Sequence, residues 1–234
     1  MRRHRDANLP RLPVLLLVLT LGWLTACATV GVPSEAQVAF DHGLRLFQGG
    51  QYAEAIPLLQ EATTLDPQFG QAYLYLGRSY LNLGQWGHAI PVLRTAFRLA
   101  PEASQHDITQ LLLDALLGGA TGALKTGGFR EAVGLLHEAL ELASHAQHLL
   151  PPLVEALIGW GGQLLAQGQL RDAIGAFREA TQLAPQQVDA YVGLARALWQ
   201  RGEIFTALAV VQTALRLAPY NSHVRALLHQ WQGH

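Results

Sequence analysis

Few side chains in this sequence could do chemistry. Cys27 is the single cysteine, which excludes an internal disulfide and a CxxC metal site. The run Gly118-Gly119-Ala120-Thr121-Gly122-Ala123-Leu124-Lys125-Thr126-Gly127-Gly128 has the glycine content of a phosphate cradle and holds the chain's one lysine. A phosphate loop, however, needs a glycine directly before the lysine and a strand ahead of the loop. Leu124 stands at the glycine's place, and nothing upstream reads as a strand. His137, His145 and His148 are close in sequence, and the last two are spaced to share a helix face, where imidazoles could ligate a metal. No HExxH motif and no carboxylate at metal spacing accompanies them, so solvated surface histidines are the simpler reading. Ser79 lacks the glycines of a nucleophile elbow. The expectation is therefore a chain with no catalytic residue, no metal and no cofactor. A histidine-based metal protein or enzyme is the remote alternative.

The composition narrows the class further. Of the 234 residues half are hydrophobic and 14% are charged, so the chain can bury a sizeable core. The formal net charge is −1, which is not the basic balance of a nucleic-acid binder. Residues 1–26 carry four of the 16 basic and one of the 17 acidic side chains; without them 12 and 16 remain, a formal −4. That charge favours solubility and opposes adsorption to anionic lipid.

The first residues read as an address. Arg2, Arg3 and Arg5 form a positive start, and an apolar run from Leu12 to Leu24 follows. The run is short against the roughly 20 apolar residues that span a bilayer. Small residues then precede a cleavage point, as in an export signal. On these residues alone an ordinary signal peptide or an uncleaved anchor would also fit. Leu24-Thr25-Ala26-Cys27, with the only cysteine in last place, resembles the lipobox of bacterial lipoproteins. The resemblance implies a signal peptide over 1–26, diacylation of the Cys27 thiol, and acylation of its new amine after cleavage. Several acyl chains anchor stably where one binds marginally. Ala28, where an aspartate would mean retention at the inner membrane, implies passage to the outer membrane. The residues after Arg2-Arg3 do not match the twin-arginine export motif. Residues 27–35 read as the lipidated cysteine and a short tether.

The remainder is periodic, and a fixed period is the first thing to look for. Leu65-Asp66-Pro67 returns as Leu99-Ala100-Pro101 after 34 residues, and Leu183-Ala184-Pro185 returns as Leu217-Ala218-Pro219 after another 34. In the same frame fall small residues at Gly43, Gly77, Gly161 and Ala195. Turn glycines follow at Gly50, Gly84, Gly168 and Gly202. Alanines recur at Ala55, Ala89, Ala173 and Ala207 and again at Ala62, Ala96, Ala180 and Ala214. A weaker copy holds Ala120, Gly127, Phe129-Arg130-Glu131-Ala132 and Ala139, with Ser144 in place of its closing proline. This pattern resembles the tetratricopeptide repeat (TPR). The resemblance implies an all-α fold: a right-handed solenoid of helix–turn–helix units, five in number, over 36–69, 70–103, 113–146, 154–187 and 188–221. Two insertions interrupt the period. Residues 104–112 are expected to lengthen the first helix of the third repeat, with Ser104 and Asp107 as an N-cap pair. Residues 147–153 join the third repeat to the fourth, with Pro151-Pro152 starting a helix. Val224, Leu227, Leu228 and Trp231 at helical spacing predict an amphipathic capping helix over 222–234. Pro57 and Pro91 fall near the start of a second helix, where a mild kink is expected.

In the TPR family the first helix of each repeat lines a concave face that carries the ligand contacts. Carried over by repeat position, the concave face includes Phe40, Leu44 and Phe47, then Leu74, Arg78, Leu81 and Asn82, then Asp114, Thr121 and Lys125, then Glu155 and Ile158, and finally Asp189, Arg196 and Trp199. Of these, Phe40, Leu44, Phe47, Leu74, Arg78, Leu81, Asn82, Lys125, Arg196 and Trp199 are taken as the partner-binding groove. Aromatic residues and arginine are the usual anchors of an interface, and Arg78 and Arg196 would be open to carboxylates. Phe40 and Leu44 stand where a chaperone-adaptor carboxylate clamp needs Lys and Asn, so chaperone C-termini are not the expected ligand. The implied function is a lipid-anchored scaffold that faces the periplasm from the outer membrane. It would hold unknown envelope proteins in an assembly such as a secretion, pilus, cell-wall or polysaccharide-export machine, with no nucleic acid bound. A self-associating structural lipoprotein, closing a homodimer through its groove, is the alternative.

Overall fold

The computed structural model describes residues 33–232. The signal-peptide reading of 1–26, lipidation at Cys27 and the first part of the 27–35 tether lie outside the described residues, as do the last two positions of the capping segment. Among the described residues there are eleven α-helices and no strand. Ten of them alternate as first and second helices of five pairs: α1 (Glu35–Gln48) with α2 (Tyr52–Leu65), α3 (Gly70–Asn82) with α4 (Trp86–Leu99), α5 (Glu102–Thr126) with α6 (Phe129–Leu142), α7 (Leu150–Ala166) with α8 (Leu170–Leu183), and α9 (Val188–Gln200) with α10 (Ile204–Leu217). The eleventh, α11 (Ser222–Gln232), packs on α10. Each second helix also packs on the first helix of the next pair, which makes a continuous stack.

Each turn inside a pair is closed the same way. Gly50, Gly84, Gly127, Gly168 and Gly202 all adopt φ between 67° and 87°, the left-handed region that a side chain disfavours. The residue after each glycine then donates its N–H to the carbonyl five residues back: Gln51 to Leu46, Gln85 to Tyr80, Gly128 to Ala123, Gln169 to Leu164 and Glu203 to Leu198, at 2.8–3.0 Å. This is the Schellman closure, which satisfies carbonyls that a helix end leaves open.

The small residues of the repeat let the helices approach. Ala55, Ala89, Ala132, Ala173 and Ala207 are fully buried, and so are Ala62, Ala96, Ala139, Ala180 and Ala214. A methyl placed on Gly77 would lie 2.5 Å from Leu93, and one on Gly161 would lie 2.9 Å from Phe177. Leu59, Leu93 and Phe177 lie opposite Gly43, Gly77 and Gly161, and with Leu136 and Val211 at the same repeat place each is at most 2% exposed. Together they form the spine of the core, whose burial holds the repeats to one another.

The two insertions do different things. The first makes α5 25 residues long against 13 or 14 for α1, α3 and α9. The Ser104–Asp107 cap is not what starts it. Pro101 takes the N-cap place, no side chain caps the helix, and Ser104 sits inside the first turn with its N–H on the Pro101 carbonyl. The proline's fixed φ supplies the entry geometry that a capping side chain would otherwise give. The second insertion forms a 3-10 turn, Gln147–Leu149, and an extra turn at the head of α7, with Pro151 and Pro152 at its first positions. Leu149 and Leu153 are buried there. The stretch Gln147–Ala166 is long and apolar enough to cross a membrane by length and composition. Its apolarity has a simpler use here, since α7 packs against α6, α8 and α9. First helices of neighbouring pairs touch at α1–α3, α3–α5 and α7–α9, and Gln163 of α7 donates its amide N–H to the carbonyl of Gly127, the C-cap residue of α5, at 2.9 Å.

Along the second helices, α6 reaches both ways. Glu138 receives a two-point hydrogen bond from the Arg94 guanidinium of α4, with Nε 2.7 Å from Oε1. Its neighbour His137 places Nε2 2.6 Å from Glu179 Oε1 on α8. These pairs are partly solvated and contribute little stability each, but they tie three successive repeats on one face.

Candidate functional site: the α3–α5 groove

The residues predicted for the concave face do not behave alike. Arg78, Leu81, Asn82 and Lys125 come together in one concavity of about 720 Å3 between α3 and α5. Arg78 is positioned from below: its guanidinium carbon lies 5.1 Å from the Phe47 ring centre and 5.3 Å from that of Tyr75. Those two rings meet edge to face at 5.1 Å. A cation over two aromatic faces is held without being neutralised. Asn82 Nδ2 donates to the Arg78 carbonyl at 2.8 Å, which orients the amide so that Oδ1 is left for another donor. Lys125 sits in the last turn of α5 and is exposed, a favourable place for a cation at a helix C-terminus. Asp114 on the same helix brings one carboxylate to the wall.

The wall that sequence reasoning missed is Trp86, the first residue of α4. Its indole lies so close to Gly118 that a methyl there would fall 2.6 Å from the ring. Gly122, one turn on, faces open space and forms part of the floor. The glycine run in α5 thus serves to admit an aromatic wall and deepen the groove, and it lies inside a helix far from any phosphate-loop geometry. Leu74 lines a neighbouring depression of about 410 Å3 that Arg78 shares with Asp107, Ile108 and Leu111.

Other predicted positions are placed elsewhere. Phe40 is a correction: it is 4% exposed and sits in the core, its ring 4.8 Å from Phe69 and 5.9 Å from Tyr75. No surface of it remains for a partner. Leu44 and Phe47 are half-buried against the same core, and Phe47 reaches the site only through Arg78. Arg196 and Trp199 meet the capping helix instead. Arg196 Nη2 is 2.7 Å from His223 Nε2, and Trp199 stacks on Trp231.

The histidines gather no metal site. His137 is engaged with Glu179, His145 lies in the turn after α6, and His148 lies in the 3-10 turn, so the last two do not share a helix face. Among the described residues no three His, Cys, Asp or Glu side chains converge as metal ligands would. Ser79 is fully buried and donates its hydroxyl to the Tyr75 carbonyl at 2.8 Å.

Comparison with known proteins agrees with this architecture. The sequence profile of the family described as tetratricopeptide repeat matches residues 46–112 and 164–230, together more than half of the chain. A TPR repeats protein from Bacteroides fragilis shares the fold at 13% identity and a TM-score of 0.51, over 86% of this chain and 99% of that one. A thermophilic TPR protein from Thermus thermophilus aligns at 20% identity and a TM-score of 0.35, over 84% of this chain and 98% of that one. No curated protein matches the chain in sequence.

Proposed function

We propose, starting from the premise that the chain belongs to the tetratricopeptide repeat family, that it is a lipid-anchored scaffold of the bacterial envelope. TPR proteins mediate protein–protein interactions and are in general not enzymes. In this reading Cys27 carries the acyl chains, the repeats project from the outer membrane into the periplasm, and the α3–α5 groove holds an envelope protein belonging to an assembly such as a secretion, pilus, cell-wall or polysaccharide-export machine. The observation that carries the reading is the groove itself: Arg78 and Lys125 with no ion-pair partner among the described residues, Leu81 and Trp86 as apolar wall, and room for several side chains. Desolvated arginine and tryptophan are the anchors that dominate interface energetics.

Two measurements test it. The first expresses the chain with a C-terminal tag in a bacterial host, cross-links in cells, and identifies the captured protein by mass spectrometry, with Arg78→Ala plus Lys125→Ala in parallel. Capture of one envelope protein by the wild type and its loss in the variant support the groove; equal capture by both removes it. The second replaces Cys27 by Ser and follows radiolabelled palmitate and membrane fractionation. A variant that still labels and stays with the membrane contradicts the anchor.

A second reading, a homodimer, is favoured by Phe205 and Tyr220, which are 90% and 91% exposed. A mass that rises with concentration and falls back on Phe205→Ser would support it.

A further inference from the structure

The insertion between the third and fourth repeats adds Gln147, Leu150 and Pro151 to the first-helix positions Glu155, Ile158 and Asp189, and together they bound a second concavity. Its wall is one stripe of α7, comprising Leu150, Pro151, Val154, Glu155 and Ile158, and the opposite wall is the turn from α8 into α9 with Leu183 and Asp189. Leu150 and Pro151 belong to the added turn, so a repeat of ordinary length would lack this side. The concavity is about 650 Å3, within the range of roughly 300–1,000 Å3 typical of sites that enclose a ligand. It shares no residue with the α3–α5 groove.

Its chemistry is one-sided. Glu155 and Asp189 are its only charged residues; both are exposed and neither has a hydrogen-bond or ion-pair partner among the described residues. No cation lines it. The other lining side chains are mainly aliphatic, including Leu150, Val154, Ile158 and Leu183. An anionic ligand would meet two carboxylates in a chain that is already acidic beyond residue 26. A purely apolar ligand would cover those carboxylates and leave their charge unpaired as water is excluded. Only a ligand that is cationic and apolar together satisfies both halves.

We propose that this concavity holds a basic–apolar segment of a partner protein: an Arg or Lys side chain paired with Glu155 and Asp189, and an aliphatic or aromatic neighbour seated on Leu150, Val154 and Ile158. The site is additional to the α3–α5 groove and opposite to it in the charge it selects.

The test uses the full chain in nonionic detergent and fluorescence polarisation with three dye-labelled peptides. They share their leucines and differ only in carrying Arg, Gln or Glu at the remaining positions. The Arg peptide is expected to bind roughly tenfold more tightly than the Gln peptide, with the Glu peptide weakest. Glu155→Gln with Asp189→Asn, which keeps shape and removes charge, is expected to abolish that preference while circular dichroism stays helical. Arg78→Ala with Lys125→Ala is expected to leave the Arg peptide's affinity within about twofold, since the two sites share no residue. Failure of the Arg peptide to bind, equal binding of all three peptides, or full binding by the Glu155→Gln, Asp189→Asn chain would each overturn the proposal. Sedimentation supplies the remaining outcome: self-association that disappears in the same double variant would overturn it in favour of a second copy of the chain. Because the Arg78, Lys125 variant is measured beside it, loss of the α3–α5 groove as a partner site leaves this result readable.

Discussion

Trp199 and Trp231 lie face to face, their ring centroids 4.4 Å apart and their planes 7° from parallel. One belongs to the first helix of the last repeat and the other to the capping helix, so the chain covers its own terminal groove position. The contact is reinforced by Arg196 and His223, 2.7 Å apart. The terminal repeat therefore turns both of these side chains toward its own capping helix. Trp231→Ala should remove a buried ring that is 7% exposed. The expected cost is about 2–3 kcal/mol, held down because α11 packs chiefly on α10 and can detach locally. Chemical denaturation measures the cost. A red-shifted emission from Trp199 should accompany it, as that ring becomes wet.

Gly193 and Phe177 give a sharper test of close approach. A methyl on Gly193 would lie 2.2 Å from the Phe177 ring, which is 2% exposed and has nowhere to go. Gly193→Ala is expected to destabilise by about 1–3 kcal/mol from overpacking, although alanine is the better helix former. Gly175, also helical, has nothing within 4 Å of the corresponding methyl. Gly175→Ala should therefore stabilise by about 0.5–1 kcal/mol. Opposite signs at two glycines 18 positions apart, read from thermal melts, check the packing directly.

How far this was legible follows from what repeats and what does not. The turn glycines and the buried alanines could be found in the sequence, because five copies of one geometry impose the same sterics at the same spacing. Phe40 is misplaced by sequence because groove positions carry over from interior repeats, whereas here the rings of Phe69 and Tyr75 close over it. Arg196 and Trp199 are predicted without their cover because helical spacing in the tail shows that a helix forms and not where it docks. Trp86 escapes notice since it belongs to a second helix; its place in the groove depends on Gly118, a contact between residues 32 apart across an insertion. At the α7 concavity the repeat frame places Glu155, Ile158 and Asp189 on the concave side, while the wall of Leu150 and Pro151 comes from an inserted segment that carries no repeat to read.

The pair of Arg94 with Glu138 should matter less than its geometry suggests. The Glu138 hydrogen bond raises the Arg94 guanidinium above its ordinary value, against a smaller opposing effect of burial. A raised folded-state value contributes stability that is complete below the unfolded value and lost only as pH rises through the folded one, and both lie beyond the working range of a protein. Arg94→Ala is thus expected to cost about 0–1 kcal/mol, since the arginine side chain is 49% exposed. The cost should be flat from neutral to mildly alkaline pH and shrink with added salt. Urea titrations at two pH values and two salt concentrations check this.

The central claim is that a partner lies in the groove between α3 and α5. The most direct measurement places a photo-crosslinking amino acid at Asn82 or Thr121, which face that groove, and at Glu61, an exposed residue of α2 outside it, in the chain expressed in cells. Illumination should join one and the same envelope protein to the Asn82 and Thr121 probes and leave the Glu61 probe unlinked. Adducts from Glu61 alone, or adducts from the groove probes only to another copy of the chain, would contradict the account.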